Sequence, residues 1–331
     1  MSDGTARPKP KLVVRAHLTV VIPSVNSSKE SRVQHSSLST PPVSDFSGLW
    51  IPLVTPFRDG AVDHAALTRL VERLAPTGIA GFVVCGSTGE AAALEENEQL
   101  AVLATVAQAA PTVPRIMGIS GYHLRKTLEW VRRLSEHEAA GLLVPAPSYI
   151  RPSQNGLVEW FSAISDASAA PLVIYDIPYR TGVSISRDTL LTIAAHPRIR
   201  AIKDCGGDGA KTRALIADGR LQVLAGEDGQ IFSTVAEGGA GAIAASAHLQ
   251  TERFVNVIRL LREGKLAQAR KLWHPLLPLI EALFADANPG PLKAVLANEG
   301  VLLNELRSPM TRAPAVAGER LLQIQAALNR R

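Results

Sequence analysis

The chain has 331 residues and a formal net charge of +5, and is 46% hydrophobic but only 5% aromatic. That length, with a core drawn from aliphatic side chains and Ala, suits one large α/β domain and weighs against an aromatic-rich β-sandwich. Residues 1–40 hold six basic side chains (Arg7, Lys9, Lys11, Arg15, Lys29, Arg32) against two acidic ones (Asp3, Glu30), so +4 of the charge lies there, the body is nearly neutral, and charge gives no argument for nucleic acid or a membrane surface.

Two cysteines, Cys85 and Cys205, cannot make a metal site alone, and no His or Cys stands near them at ligand spacing. A reduced, cytoplasmic setting is expected. No apolar run approaches a transmembrane length.

Residues 1–46 are rich in Ser, Pro and basic side chains and read as a flexible extension. Their one short apolar piece, 18–22, is too short for a signal peptide and lacks a convincing cleavage site. An overlong start assignment is equally consistent, with a non-Met codon as the true start, because no Met follows Met1 until Met117.

From Gly48 onward a rhythm of apolar strand, turn and amphipathic helix begins. Strands are predicted at 49–54, 79–85, 115–119, 141–144, 172–175, 199–203, 221–225 and 241–245. Helices are predicted between them at 63–75, 95–109, 124–138, 157–168, 186–195, 210–217 and 230–237, with 251–263 after the last strand. Eight such units match a closed (β/α)8 TIM barrel over 47–264. An open doubly wound sheet is the alternative, but no Gly-x-Gly-x-x-Gly follows the first strand. Helices at 265–285, 291–299 and 315–328 then form a C-terminal helical appendage over 265–331.

In a barrel the chemistry gathers at the carboxyl ends of the strands. The second predicted strand ends in Cys85-Gly86-Ser87-Thr88-Gly89-Glu90, a tight turn whose free N–H groups can cradle a carboxylate. A proline-stiffened loop, 145–154, follows the fourth and holds Tyr149 over the mouth. The fifth runs into Tyr175-Asp176-Ile177-Pro178-Tyr179-Arg180-Thr181-Gly182, and the sixth ends in Ile202-Lys203-Asp204. Taken singly, Tyr175 reads as a packed core aromatic, Arg180 as a surface charge and Lys203 as a solvated strand end. Together they offer a nucleophilic amine, a phenolic proton carrier and a carboxylate clamp. A Schiff-base lysine must be partly desolvated so that its pKa falls. Cys85 and Cys205 read as small buried hydrophobes, and His248 as a polar rim residue that could face the pocket.

Gly-Ser-Thr-Gly-Glu at 86–90, Tyr-Asp-Ile-Pro-Tyr-Arg-Thr-Gly at 175–182 and Ile-Lys-Asp at 202–204 together resemble the dihydrodipicolinate synthase/N-acetylneuraminate lyase family of pyruvate-dependent class I aldolases. The resemblance covers roughly residues 47–300. It implies a Schiff base between Lys203 and pyruvate, with the pyruvate carboxylate received by Ser87 and Thr88 and protons shuttled by Tyr175. It implies that Ser87 links Tyr175 to Tyr149 of a neighbouring subunit, and that the backbones of Gly226 and Ile243 line the imine pocket. Arg180 matches the synthase branch, where it anchors the carboxylate of aspartate semialdehyde.

The reaction implied is condensation of pyruvate with aspartate 4-semialdehyde to 4-hydroxy-tetrahydrodipicolinate, the first step toward diaminopimelate and lysine, by a homotetramer (a dimer of dimers). No metal or organic cofactor is implied. The runner-up is another pyruvate aldolase or dehydratase acting on a sugar acid or other aldehyde, and a catalytically idle metabolite-binding barrel stands further off. Three residues depart from the synthase pattern: Ser87 for threonine, Asp176 for asparagine, and bulky Tyr179 before the arginine. Glu96, Gln99 and Ser148 replace the polar residues of the lysine effector site, which predicts weak or absent lysine inhibition.

Overall fold

The structure, a computed structural model, describes residues 45–330, so the extension assigned to 1–46 lies almost wholly outside the described residues. Eight parallel strands close into a barrel in chain order: β1 (Gly48–Pro52), β2 (Gly81–Val84), β3 (Arg115–Gly118), β4 (Gly141–Pro145), β5 (Leu172–Asp176), β6 (Ile199–Asp204), β7 (Gln222–Ala225) and β8 (Gly241–Ile243). β8 pairs with β1 to complete the ring. Each predicted strand is present, most of them one or two residues shorter at an end than the apolar run that announced it.

Each strand contributes an inward residue to the barrel interior: Trp50, Val83, Ile116, Leu143, Val173, Ala201, Leu224 and Ile243. Outward residues such as Ile51, Phe82, Ile174 and Ile202 join the larger core under the helices. This two-sided burial is why the strands read as continuous apolar runs rather than as alternating ones. Phe46 closes the amino end, its carbonyl accepting from Trp50 Nε1 at 2.8 Å.

The outer ring is α1 (His64–Leu74), α2 (Glu96–Ala109), α3 (Leu124–Leu134), α4 (Gln154–Ala167), α5 (Arg187–Ile193), α6 (Gly209–Asp218), α7 (Ile231–Ala236) and α8 (Thr251–Arg262). Several of their starts are fixed by side-chain caps that the sequence carries. Asp63, Ser153, Ser186 and Asp208 each accept from a backbone N–H of the first turn, and Glu95 with Glu98 makes a capping box.

Three local features differ from the sequence reading. The helix expected over 265–285 is two helices, α9 (Leu266–Trp273) and α10 (Leu277–Leu283), joined by a 3-10 turn at His274–Leu276. Pro275 and Pro278 supply no N–H to an α-helical ladder, so the chain tightens there. A small hairpin, Phe57–Arg58 with Ala61–Val62, turns through Asp59 and Gly60, both at positive φ. A single helical turn, Pro178–Thr181, follows β5.

The remaining helices, α11 (Gly290–Asn298) and α12 (Ala315–Asn329), pack on each other and α12 also on α10. Barrel and C-terminal helices fall in one compact unit.

Candidate active site

Alternation along two adjacent strands delivers the central pair. Val173 and Tyr175 of β5 point inward, as do Ala201 of β6 and Ile177 and Cys205 just past the two strand ends, so period two places Lys203 on the inward face as well. The β5–β6 register sets Tyr175 directly beside Lys203. Lys203 Nζ donates to Tyr175 Oη at 3.3 Å, and the ammonium lies 4.4 Å from the phenol ring centroid. Both side chains are buried, Lys203 with 6% exposure.

Burial, the largest single influence on Lys203, pulls its pKa down; Tyr175, Cys205 and Asp228 oppose it when ionised and carry the balance above the ordinary value. Burial likewise pushes the Tyr175 phenol and the Cys205 thiol up, so both are neutral near pH 7 and their support is absent there. Burial thus favours the free amine that attack requires, while Asp228 acts to hold the proton on Lys203.

Around the pair lies a cavity of about 220 Å³ lined by Ser87, Thr88, Arg180, Gly226, Asp228 and Ile243 among others. Ser87 and Thr88 open a 3-10 turn, Ser87–Gly89, after β2, so their N–H groups are the first of the turn and have no acceptor within it. The Ser87 hydroxyl favours the ionised Tyr175 phenol, against burial. Gly226 is fixed by space: a Cβ there would fall 2.3 Å from Cys205 Sγ and 2.8 Å from Lys203 Cγ. Arg180 sits on the single turn after β5 and borders both this cavity and a second, apolar one of about 150 Å³ on the far side of Ser87 and Tyr175.

An amine, a phenol and a turn with free N–H groups at a barrel mouth can together support imine chemistry. The profile described as the dihydrodipicolinate synthetase family matches residues 45–329. The chain belongs to the dihydrodipicolinate synthetase family. The 4-hydroxy-tetrahydrodipicolinate synthase 2 of Clostridium acetobutylicum is 36% identical over 267 residues, covering 80% of this chain and 93% of the relative. The 4-hydroxy-tetrahydrodipicolinate synthase of Hyphomonas neptunium is 37% identical over 288 residues, 86% of this chain and 98% of its own. Among solved structures, the dihydrodipicolinate synthase of Acinetobacter baumannii complexed with pyruvate superposes with a TM-score of 0.83 at 30% identity, covering 86% of this chain and 99% of that one.

Within this family member, Tyr149 stands apart from the other site residues. It is 88% exposed at φ +73° in the loop after β4 and lines neither cavity of its own barrel. His248 does not face the pocket. It is buried, Nδ1 bonding the Ala245 carbonyl at 2.9 Å and Nε2 accepting from the Val54 N–H at 3.4 Å, and burial lowers its pKa to about 4. A lone His after the last strand gives no sign in sequence of whether it turns in or out.

Three groups near Lys203 have partners that the sequence reading did not give. Asp228, in the turn after β7, is buried, pushed up to about 6 by burial, and accepts from the Ser246 N–H at 2.6 Å. Tyr179 Oη donates to Glu227 Oε1 at 3.1 Å on the rim. Behind the pair, Lys211 Nζ donates to Asp176 Oδ2 at 2.5 Å and to the Ile185 carbonyl at 3.2 Å, while Thr212 Oγ1 donates to Asp204 Oδ2 at 2.6 Å. Asp176 and Asp204 directly follow Tyr175 and Lys203, so this network fastens the two strand ends. The Lys211 partner explains how a buried Asp is held at 176.

Proposed function

We infer that this chain is a Schiff-base lyase that condenses pyruvate with L-aspartate 4-semialdehyde to 4-hydroxy-tetrahydrodipicolinate, in lysine and diaminopimelate biosynthesis. The observation that carries the reading is the buried amine of Lys203 at 3.3 Å from the Tyr175 phenol, at the carboxyl ends of adjacent barrel strands. The Acinetobacter baumannii relative holds pyruvate, which supports this keto acid as the first substrate.

The free amine of Lys203 attacks C2 of pyruvate, and loss of water gives an imine. Tyr175 takes and returns the protons of that exchange. The imine draws electrons from the methyl group, which loses a proton to become an enamine, and the enamine carbon attacks the aldehyde carbon. Attack by the product's own amino group on the imine carbon releases Lys203 and closes the ring, so one water leaves overall. Ser87 and Thr88 receive the pyruvate carboxylate, the backbones of Gly226 and Ile243 line the imine, and Arg180 receives the carboxylate of the aldehyde.

We assign Tyr149 to the site of a second copy of this chain. Its exposure, its strained φ and the apolar cavity beside Ser87 and Tyr175 support that role. A homotetramer built as a dimer of dimers is the assembly we favour, supported by exposed Tyr122, Tyr149 and Ile150 on the loops after β3 and β4. One solved relative is a monomeric dihydrodipicolinate synthase variant, so measuring the mass in solution is part of the test. No helix among the described residues is long and apolar enough to cross a membrane. The two unpaired cysteines support a cytoplasmic setting.

A substrate panel tests the reading. With pyruvate fixed, turnover is expected with aspartate 4-semialdehyde and to fall by roughly a hundredfold or more for aldehydes lacking the carboxylate, because Arg180 is then left unpaired. Equal turnover with sugar-acid aldehydes would favour the runner-up reading.

A further inference from the structure

The carboxamide of Asn288 ties the C-terminal region to the turn that carries Ser87 and Thr88. Asn288 Nδ2 donates to Thr88 Oγ1 at 3.0 Å, and both residues line the Lys203 cavity. Asn288 Oδ1 is buried with no hydrogen-bond partner. Five residues on, Lys293 is fully buried and donates to Glu90 Oε1 at 2.5 Å and to the Glu305 carbonyl at 2.8 Å. The Arg307 N–H donates to the other oxygen of Glu90 at 3.0 Å. The C-terminal region therefore grips the 86–90 turn at two points, Thr88 and Glu90.

A hydroxyl has one proton to give and lone pairs to accept with. While the Asn288 N–H occupies a lone pair of Thr88 Oγ1, the Thr88 proton cannot be spent on that nitrogen. It is available to an acceptor in the cavity.

We propose that Asn288 is a positioning residue for keto-acid recognition: its carboxamide holds the Thr88 hydroxyl as a proton donor to the substrate carboxylate. The inference rests on the assignment of pyruvate to this cavity. It gives the C-terminal region a part in binding, although the cavity's amine and phenol come wholly from the barrel.

The test measures imine formation as a function of pyruvate concentration by borohydride trapping, together with steady-state constants. Asn288→Asp keeps the size but replaces the donor by an acceptor, so the Thr88 proton turns to the new carboxylate and a negative charge joins the cavity. Half-saturation by pyruvate is expected to rise roughly tenfold to a hundredfold, the worth of a charge-assisted hydrogen bond. The KM of the aldehyde and kcat are expected to stay within about threefold, the split expected when ground-state binding alone is lost. Asn288→Ala is expected to raise half-saturation in the native background and to add nothing in a Thr88→Val background. Asn288→Ser serves where Asn288→Ala does not fold. An unchanged half-saturation in Asn288→Asp, or equal losses from Asn288→Ala in the two backgrounds, overturns the proposal. Absence of any adduct in the wild-type protein instead removes the keto-acid assignment on which it rests.

Discussion

Tyr175 and Lys203 are lateral partners across β5 and β6, and this register alone brings Oη to 3.3 Å from Nζ. A one-residue slip of either strand would turn one of the two side chains out of the barrel. The phenol is within hydrogen-bond reach of the amine, as the proposed proton exchange requires. Tyr175→Phe keeps the ring that packs over Lys203 but removes the proton carrier. It is expected to lower kcat by about 10²–10⁴-fold, the usual range for general acid–base catalysis, with the circular dichroism spectrum unchanged.

Gly226 gives a steric prediction. An added methyl would overlap Cys205 Sγ and the Lys203 side chain, so Gly226→Ala is expected to displace the amine and to abolish most imine formation. Gly226→Ala combined with Cys205→Gly removes the worse of the two clashes and is expected to recover part of the activity. Steady-state rates of the two variants decide it.

The buried pair Asp176–Lys211 predicts a stability pattern. Burial pushes the Asp176 carboxyl up and Lys211 holds it back. Lys211→Met leaves a buried carboxyl unpaired and is expected to destabilise by about 3–5 kcal/mol. Asp176→Asn with Lys211→Met removes the charge as well and is expected to recover most of that loss. Urea midpoints of the three proteins are the check.

His248 predicts a pH dependence of stability. Its folded pKa of about 4 lies below the ordinary imidazole value of 6.5, so the folded state binds fewer protons than the unfolded one. Its contribution is fully present above pH 6.5 and is lost as pH falls toward 4. Asp228 works in the opposite sense, since its folded pKa of about 6 is raised and its contribution falls as pH rises from 3.8 through 6. His248→Asn is expected to make stability fall less steeply between pH 6.5 and 4, by up to about 3 kcal/mol over the window. Denaturant titrations at half-unit steps of pH read this directly.

Lysine is expected to inhibit weakly or not at all at physiological concentration. Two of the positions matched to effector-binding residues are already engaged: Glu96 pairs with Arg133 at 3.1 Å, and Gln99 donates to the Ala91 and Leu94 carbonyls. Strong inhibition in a lysine titration would contradict this.

The barrel was legible because its signals are local. Short apolar runs followed by helices recur eight times, and Asp63 and Ser186 mark helix starts within a residue, whereas the helix expected from 157 begins at Gln154, just after its Ser153 cap. Lys203, Tyr175, Ser87 and Arg180 could be singled out because each stands at or just beyond a strand end. Asp59-Gly60 was an available hairpin signal that the strand-and-helix rhythm obscured. Pro275 and Pro278 likewise marked the break in 265–285. What sequence could not give was contact across the fold. Asn288 lies 200 residues from Thr88, and Lys293 lies 203 residues from Glu90, so neither pairing leaves a local trace. Burial of His248 was equally invisible, since it depends on Val54 at the other end of the barrel sequence.

The most direct test of the central claim is intact mass after incubation with pyruvate and borohydride, for the wild type and for Lys203→Ala. A pyruvate-sized adduct on the wild type that is absent from Lys203→Ala is the predicted result. A folded wild-type protein that gains no mass, or an adduct that persists in Lys203→Ala, would contradict the assignment of Lys203 as the imine-forming nucleophile.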